Sequence, residues 1–351
     1  MNRVLARRGC DFETASPIPM TAEPHDNAEL PNSAETLPPV EPPSAKFIVQ
    51  LFVVPGLIVA SIVGVWLLFG KLASAEQDWQ ALLADMKSSN EHRRGRGAMG
   101  LAQALAIDQN RKVAGPRLTT NPQVAQELSA FLTDTLKSSS QEPVVIDQQA
   151  FLARTLGLLD VPESVLPALR EAMKETHDRE VRKNAVAAVA TIAFRAHERG
   201  TPLTDSGILD ELSQVSRDQD PLLRSLAALA LGFFPLDLAD QSLTVLLADA
   251  DGNTRANAAI SFTRHKSLKA VPVLKEVLKA AAALKQAGPS GDAGPIAATN
   301  AMKAIGELAP LLDESTRSEI VKDITTISTD YPEPRVRLDA AQTLMKFRKN
   351  P

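Results

Sequence analysis

Five histidines and one cysteine are the residues of this 351-residue chain best suited to metal or nucleophilic chemistry. Their spacing points to neither. His25, His92, His177, His197 and His265 stand far apart, with no His-Glu-x-x-His arrangement and no cysteine beside them to complete a zinc set. Cys10 lies near the start, so the rest of the chain has no thiol nucleophile and no internal disulfide framework. The stretch from Gly288 to Pro295, GPSGDAGP, is glycine-rich but lacks the Lys-Ser/Thr that a phosphate cradle needs. It reads as an insertion, residues 286–295, between two helices. No Gly-x-Ser-x-Gly elbow occurs, and the many carboxylates fall on exposed helix faces. No catalytic, cofactor-binding or metal-binding residue is expected, and an enzyme is not the reading.

Charge narrows the partners. The formal net charge is −4; residues 1–75 carry 5 Lys+Arg against 7 Asp+Glu, leaving 33 against 35 for the remainder. That balance gives no global basic footprint for nucleic acid. Arg93, Arg94 and Arg96, with Lys87 and Lys112 nearby, form the one dense basic cluster. It suits anionic headgroups if it faces the cytoplasm and a solvated or protein-contacting face otherwise. It lacks interleaved aromatics for base stacking, so nucleic acid is the weaker option.

The elements that must position these residues begin with Phe47–Phe69, FIVQLFVVPGLIVASIVGVWLLF, 23 residues without a charge. As a helix it would span roughly 34 Å, enough for a hydrocarbon core of ~30 Å. Lys46 and Lys71 bracket it, and Pro55 should bend it near its first third. We read residues 47–70 as a single transmembrane helix. Ala73-Ser74-Ala75 resembles a signal cleavage site, but a signal core is shorter and closer to the start. Leu5 to Cys10 lacks the apolar run of a lipoprotein signal. Gly56, Ala60 and Gly64 recur every four residues and form a small-residue face on which two spans could pack as a homodimer. Residues 1–46, with eight prolines and seven acidic residues, read as a disordered polyproline-like tail. The positive-inside balance leans to tail inside and the larger part outside a bacterial inner membrane.

From Glu76 onward helical patterns alternate with short breaks. Asp178-x-x-Val181-Arg182 leads into Ala185, Ala188, Val189 and Ile192. Asp220-x-x-Leu223-Arg224 leads into Ala227, Ala230, Leu231 and Phe234, and Glu333-x-x-Val336-Arg337 into Ala340, Thr343, Leu344 and Phe347. Those offsets share one helical face, and the acidic residue is placed to cap the helix N-terminus. Asp251, Thr254, Arg255 and Ala258 repeat the opening, with Ser261 weakening the face; Ala298 stands where the arginine of the next unit would be. Residues 71–120 read as membrane-proximal helices and a degenerate first repeat, in which Arg94 takes the apolar position and Gly95, Gly97 and Gly100 interrupt the helix. Residues 121–351 read as the repeat array. With aromatics at 4% and Ala and Leu dominant, the fold class is all-α: an α-solenoid of about seven antiparallel helix pairs.

The D-x-x-V-R-x-x-A-A pattern, with Ala-Leu-Ala-Leu-Gly at 228–232, resembles the HEAT repeat, closest to the short bacterial HEAT-like units of phycobilisome-lyase-type proteins. The resemblance is clear over Val161–His265 and again over Tyr331–Arg348. It implies a superhelix in which the repeated acidic and arginine residues pair between neighbouring units. Carried over, Asp178, Arg182, Asp220, Arg224, Asp251 and Arg255, with Glu333 and Arg337 in the last unit, would form a structural ladder. The resemblance brings architecture rather than an activity; because stacked pairs leave a long curved groove free, the reading is a membrane-anchored scaffold that holds protein partners on that groove, with lipid around the 47–70 span. A cytoplasm-facing nucleic-acid anchor and a lyase-like enzyme on the same frame are the alternatives.

Overall fold

The computed structural model of the chain describes residues 44, 46, 49–73, 78–111, 115–138, 140–284 and 294–349. The expectations on the Pro-rich tail and on the 286–295 insertion fall outside these residues, apart from Ser44, Lys46, Gly294 and Pro295. The chain divides into two units, Met1–Ala75 and Glu76–Pro351.

In the first unit a π-wound turn, Val49–Val53, runs into α1 (Val54–Ala73). The winding changes just before Pro55, the residue expected to bend the helix, because a proline ring crowds the carbonyl four residues earlier and the backbone widens to avoid it. The stretch Val49–Leu67 has a mean hydropathy of 2.2 with none of it buried inside the unit, and is long and apolar enough to cross a membrane. At Gly56 and Gly64 an added Cβ would meet nothing within 4 Å.

The second unit holds fourteen helices and no strand among the described residues: α2 (Trp79–Met86), α3 (Glu91–Asn110), α4 (Pro122–Leu136), α5 (Pro143–Leu156), α6 (Pro162–Met173), α7 (Arg179–Glu198), α8 (Ser206–Val215), α9 (Pro221–Leu231), α10 (Leu236–Leu246), α11 (Gly252–Arg264), α12 (Val271–Ala283), α13 (Pro295–Leu308), α14 (Glu314–Asp330) and α15 (Pro334–Lys349). Their starts follow from local chemistry. Proline opens α4, α5, α6, α9, α13 and α15, where its missing N–H costs nothing. Asp178, Asp220 and Asp251 cap α7, α9 and α11 by accepting backbone N–H groups of Glu180, Leu222 and Thr254.

Each even-numbered helix packs on the odd-numbered helix that follows, and the hairpins stack in two rows. One row runs α5–α7–α9–α11–α13–α15; the other runs α4–α6–α8–α10 and resumes as α12–α14. Between the rows lies one continuous apolar core from Leu83 to Phe347. The motif offsets point into it: Val181, Ala185, Val189 and Ile192 are all fully buried. This is a layered helical repeat, as the periodicity requires.

Three expectations need correction. First, α3 is continuous through Gly95, Gly97 and Gly100. A Cβ on Gly97 would lie 2.6 Å from the Leu82 carbonyl and 2.7 Å from the Met86 nitrogen, so this glycine permits close packing on α2 rather than breaking its own helix. Second, Arg94 does not take the apolar position. Asn90 is the cap, accepting from the Arg93 N–H, and Arg94 stands four residues after it, as Arg224 does after Asp220. Third, Ser261 does not weaken the face: it is fully buried and donates to the Ala228 carbonyl at 2.8 Å.

Candidate partner-binding face

The arginines of the motif turn back on the loop that precedes their own helix. Arg94, Arg224, Arg255 and Arg337 each donate through Nη1 to the two carbonyls five and six residues earlier, at 2.6–3.2 Å. The recurring geometry fixes each inter-helix loop against the helix it feeds.

Three motif arginines, Arg182, Arg224 and Arg255, reach across hairpins to carboxylates that differ from those expected. Arg182 pairs with Asp218, not Asp220. Arg224 grips both oxygens of Asp249, not Asp251, at 2.7 and 2.8 Å. Arg255 reaches Glu276 of α12 at 3.1 Å. Asp220 does face the preceding hairpin, where its partner is Arg179. Asp218 and Asp249 each also accept the N–H of the capping aspartate two residues on, at 2.8 Å. One carboxylate thus serves the turn and the neighbouring repeat together. Its arginine partner holds Asp249 below the ordinary carboxylate range, and Asp249 in turn raises Arg224. The signal in sequence was the Asp-x-Asp doublet at 218–220 and 249–251. Among the described residues Glu333 makes no inter-hairpin ion pair, and the rung is missing at Ala298, where no guanidinium exists.

The odd-numbered row carries an open groove, a cavity of about 570 Å³ over α9, α11 and α13. Leu222, Ile260 and Ile296 supply apolar walls and Asn253, Asn257 and Asn300 supply carboxamides. Asp251, already spent on its cap, is the one ionisable side chain lining it among the described residues. Ile296 is 79% exposed, unusual for an isoleucine inside a packed array. The α9–α11 wall is fixed by a polar seam. Thr254 donates to the Pro221 carbonyl, Asn257 to the Ser225 carbonyl and hydroxyl, and Ser261 to the Ala228 carbonyl. These donors recur at helical spacing and knit two adjacent helices backbone to side chain.

The remaining sites of interest resolve into structure. Arg93 pairs with Asp85 at 2.6 Å, Arg94 braces its loop, and Lys87 meets Glu127 at 3.5 Å; Lys112 lies outside the described residues. Most of the basic cluster is therefore engaged within α2–α4. His177 sits 3.6 Å from Glu171, while the His197 and His265 rings meet edge-on with centres 6.2 Å apart. Burial pushes His265 below the usual imidazole value. Among the described residues no three His, Cys, Asp or Glu converge as metal ligands.

No family model matches the chain, and no curated protein matches it. Solved structures do align with it. The complex of CpcE and CpcF of phycocyanin lyase from Nostoc sp. PCC7120 is 15% identical over 78% of this chain and 94% of that one, with a TM-score of 0.44. A designed armadillo repeat protein is 19% identical over 63% and 99%, with a TM-score of 0.42. Human deoxyhypusine hydroxylase in complex with glycerol is 20% identical over 80% and 99%, with a TM-score of 0.31.

Proposed function

We propose that the chain is a membrane-anchored helical-repeat scaffold, built of seven hairpins, that holds protein partners on the α9–α11–α13 face and performs no catalysis itself. The observation that carries this reading is the groove: exposed apolar side chains beside carboxamides, with no free acid, base or nucleophile converging on it among the described residues. Carboxamides can donate to and accept from a polypeptide backbone, and the apolar walls reward burial at roughly 25 cal/mol per Å². In this reading Val49–Leu67 holds the groove beside the bilayer and raises the effective concentration of membrane partners. The tail lies inside and the repeats outside, and Gly56, Ala60 and Gly64 allow two spans to pair. The arginine–aspartate contacts serve as a structural ladder rather than a ligand site.

The test is photo-crosslinking in living cells from positions 222 and 296, with membrane fractions washed in alkaline carbonate. The scaffold reading expects a retained membrane protein and a reproducible set of crosslinked proteins lost in Leu222→Asp and Ile296→Asp variants that still fold. Crosslinked RNA or DNA without proteins would replace it by the nucleic-acid anchor. Release of the chain into the carbonate wash would remove the membrane part.

A further inference from the structure

Past one end of the groove, the α9 and α11 faces that wall it lead to a cluster of rings around one guanidinium. The apolar line of α9, Leu222–Leu226–Leu229, leads at helical spacing to Phe233, and Asn257 and Ile260 on α11 lead to Arg264. The Arg264 guanidinium lies 4.1 Å above the centre of the Phe233 ring. The Phe194 ring meets Phe233 edge-on at 5.4 Å and is 44% exposed. His197 stands 6.1 Å from Phe233, with His265 behind it.

Arg264 donates to Ser261 Oγ at 3.1 Å and makes no ion pair among the described residues. Glu307, the carboxylate whose field it feels, is paired with Lys266 at 3.5 Å. A half-buried guanidinium ordinarily meets a carboxylate, because desolvation without one is costly. This one is instead held flat on an aromatic face, which fixes its fork and leaves N–H donors free. Aromatic and arginine side chains together are also the usual composition of the residues that dominate binding energy. In a chain with a net charge of −4, this spot gathers a permanent cation and two imidazoles, and among the described residues no carboxylate forms an ion pair with them.

We infer that this end of the groove is a carboxylate anchor: a partner segment lays apolar side chains over Leu226, Leu229 and Ile260 and sets an Asp, Glu or C-terminal carboxylate on Arg264. The inference rests on the scaffold reading and adds the chemistry of the occupant. A planar carboxylate takes two parallel N–H bonds from the fork, which gives register as well as affinity. The unpaired cation is thereby neutralised in the complex.

The experiment is selection of random twelve-residue peptides on the full chain in nanodiscs, followed by affinity measurement of the enriched peptides and their Glu→Gln and Asp→Asn versions. The expected binders combine apolar residues with a carboxylate, and neutralising it weakens binding tenfold or more. Arg264→Gln should abolish that tenfold preference, Arg264→Lys should keep part of it, and Arg264→Glu should turn selection towards Lys- and Arg-bearing peptides. The peptide charge series on the unaltered chain carries the test even where a variant fails to fold. Binders that are lost in Leu222→Asp but show no charge preference would overturn the anchor and leave the scaffold standing. An absence of binders sensitive to Leu222→Asp would overturn both. Displacement of the peptides by a short oligothymidylate at low micromolar concentration would reassign Arg264 to phosphate.

Discussion

Arg224 does two jobs with one guanidinium. It holds its own loop through the Asp218 and Gln219 carbonyls and the next repeat through Asp249. Arg224→Ala strands a largely shielded carboxylate and two loop carbonyls, and should cost about 2–3 kcal/mol in chemical denaturation. Arg179→Ala, which removes an exposed partner of Asp220, should cost less. Asp249 adds a pH signature. Its folded value is depressed, so its contribution is full above the unfolded carboxylate value and is lost as pH falls through the folded one. Acid should therefore weaken the wild type more than Asp249→Asn below about pH 4. His265 acts over a different range. Burial disfavours its cation, so the unfolded chain binds the proton more readily, and stability falls as pH drops below about 6.5. Thermal melts at pH 7.5 and 5.5 should show a smaller shift in His265→Gln than in the wild type. The capping aspartates were legible because a cap is local chemistry. The pairing partners were not, since Arg182 and Asp218 meet across 36 positions and only the stacking of two hairpins brings them together.

At the scale of helices, two close crossings set the packing. Gly97 lets α3 settle on the last turn of α2, whereas Gly95 on the same helix faces open space. Gly97→Ala should destabilise the first hairpin by about 1–3 kcal/mol. Gly95→Ala should stabilise it by about 0.5–1 kcal/mol, since α3 keeps its backbone and the unfolded chain loses freedom. Hydrogen exchange of α2 and α3 separates the two outcomes. The second crossing is the α9–α11 seam, where a Cβ on Gly232 would fall 2.1 Å from Ser261 Oγ. Here the periodicity misled. A serine in an apolar column looks like a defect until the neighbouring helix supplies a carbonyl. The first hairpin misled in the opposite way, because glycines that look like helix breakers are contact surfaces, and an asparagine cap hid the register of Arg94.

For the body as a whole, helix class and hairpin order were readable because they rest on period and punctuation, which a sequence carries directly. The groove was not, because it depends on which side chains remain uncovered once rows have stacked. The rows are also uneven. From α7 to α11 the motif arginines bridge successive hairpins, while Ala298 ends the series. One joint earlier, where Arg255 and Glu276 form the last bridge, α10 and α12 do not pack extensively, and the turn before α12 is tied to α10 by Lys269 and Asp240 at 2.7 Å. Hydrogen exchange should find α13–α15 opening at lower free energy than α7–α11, with uniform protection across the two segments as the contrary result. The thin packing between α10 and α12 has a mechanical meaning. Under a load applied between its two ends the array would not stretch evenly, as a uniform spring would. Extension would collect at the joint beside α13, so tension on a partner seated there would be converted into a change in the width of its own binding cleft.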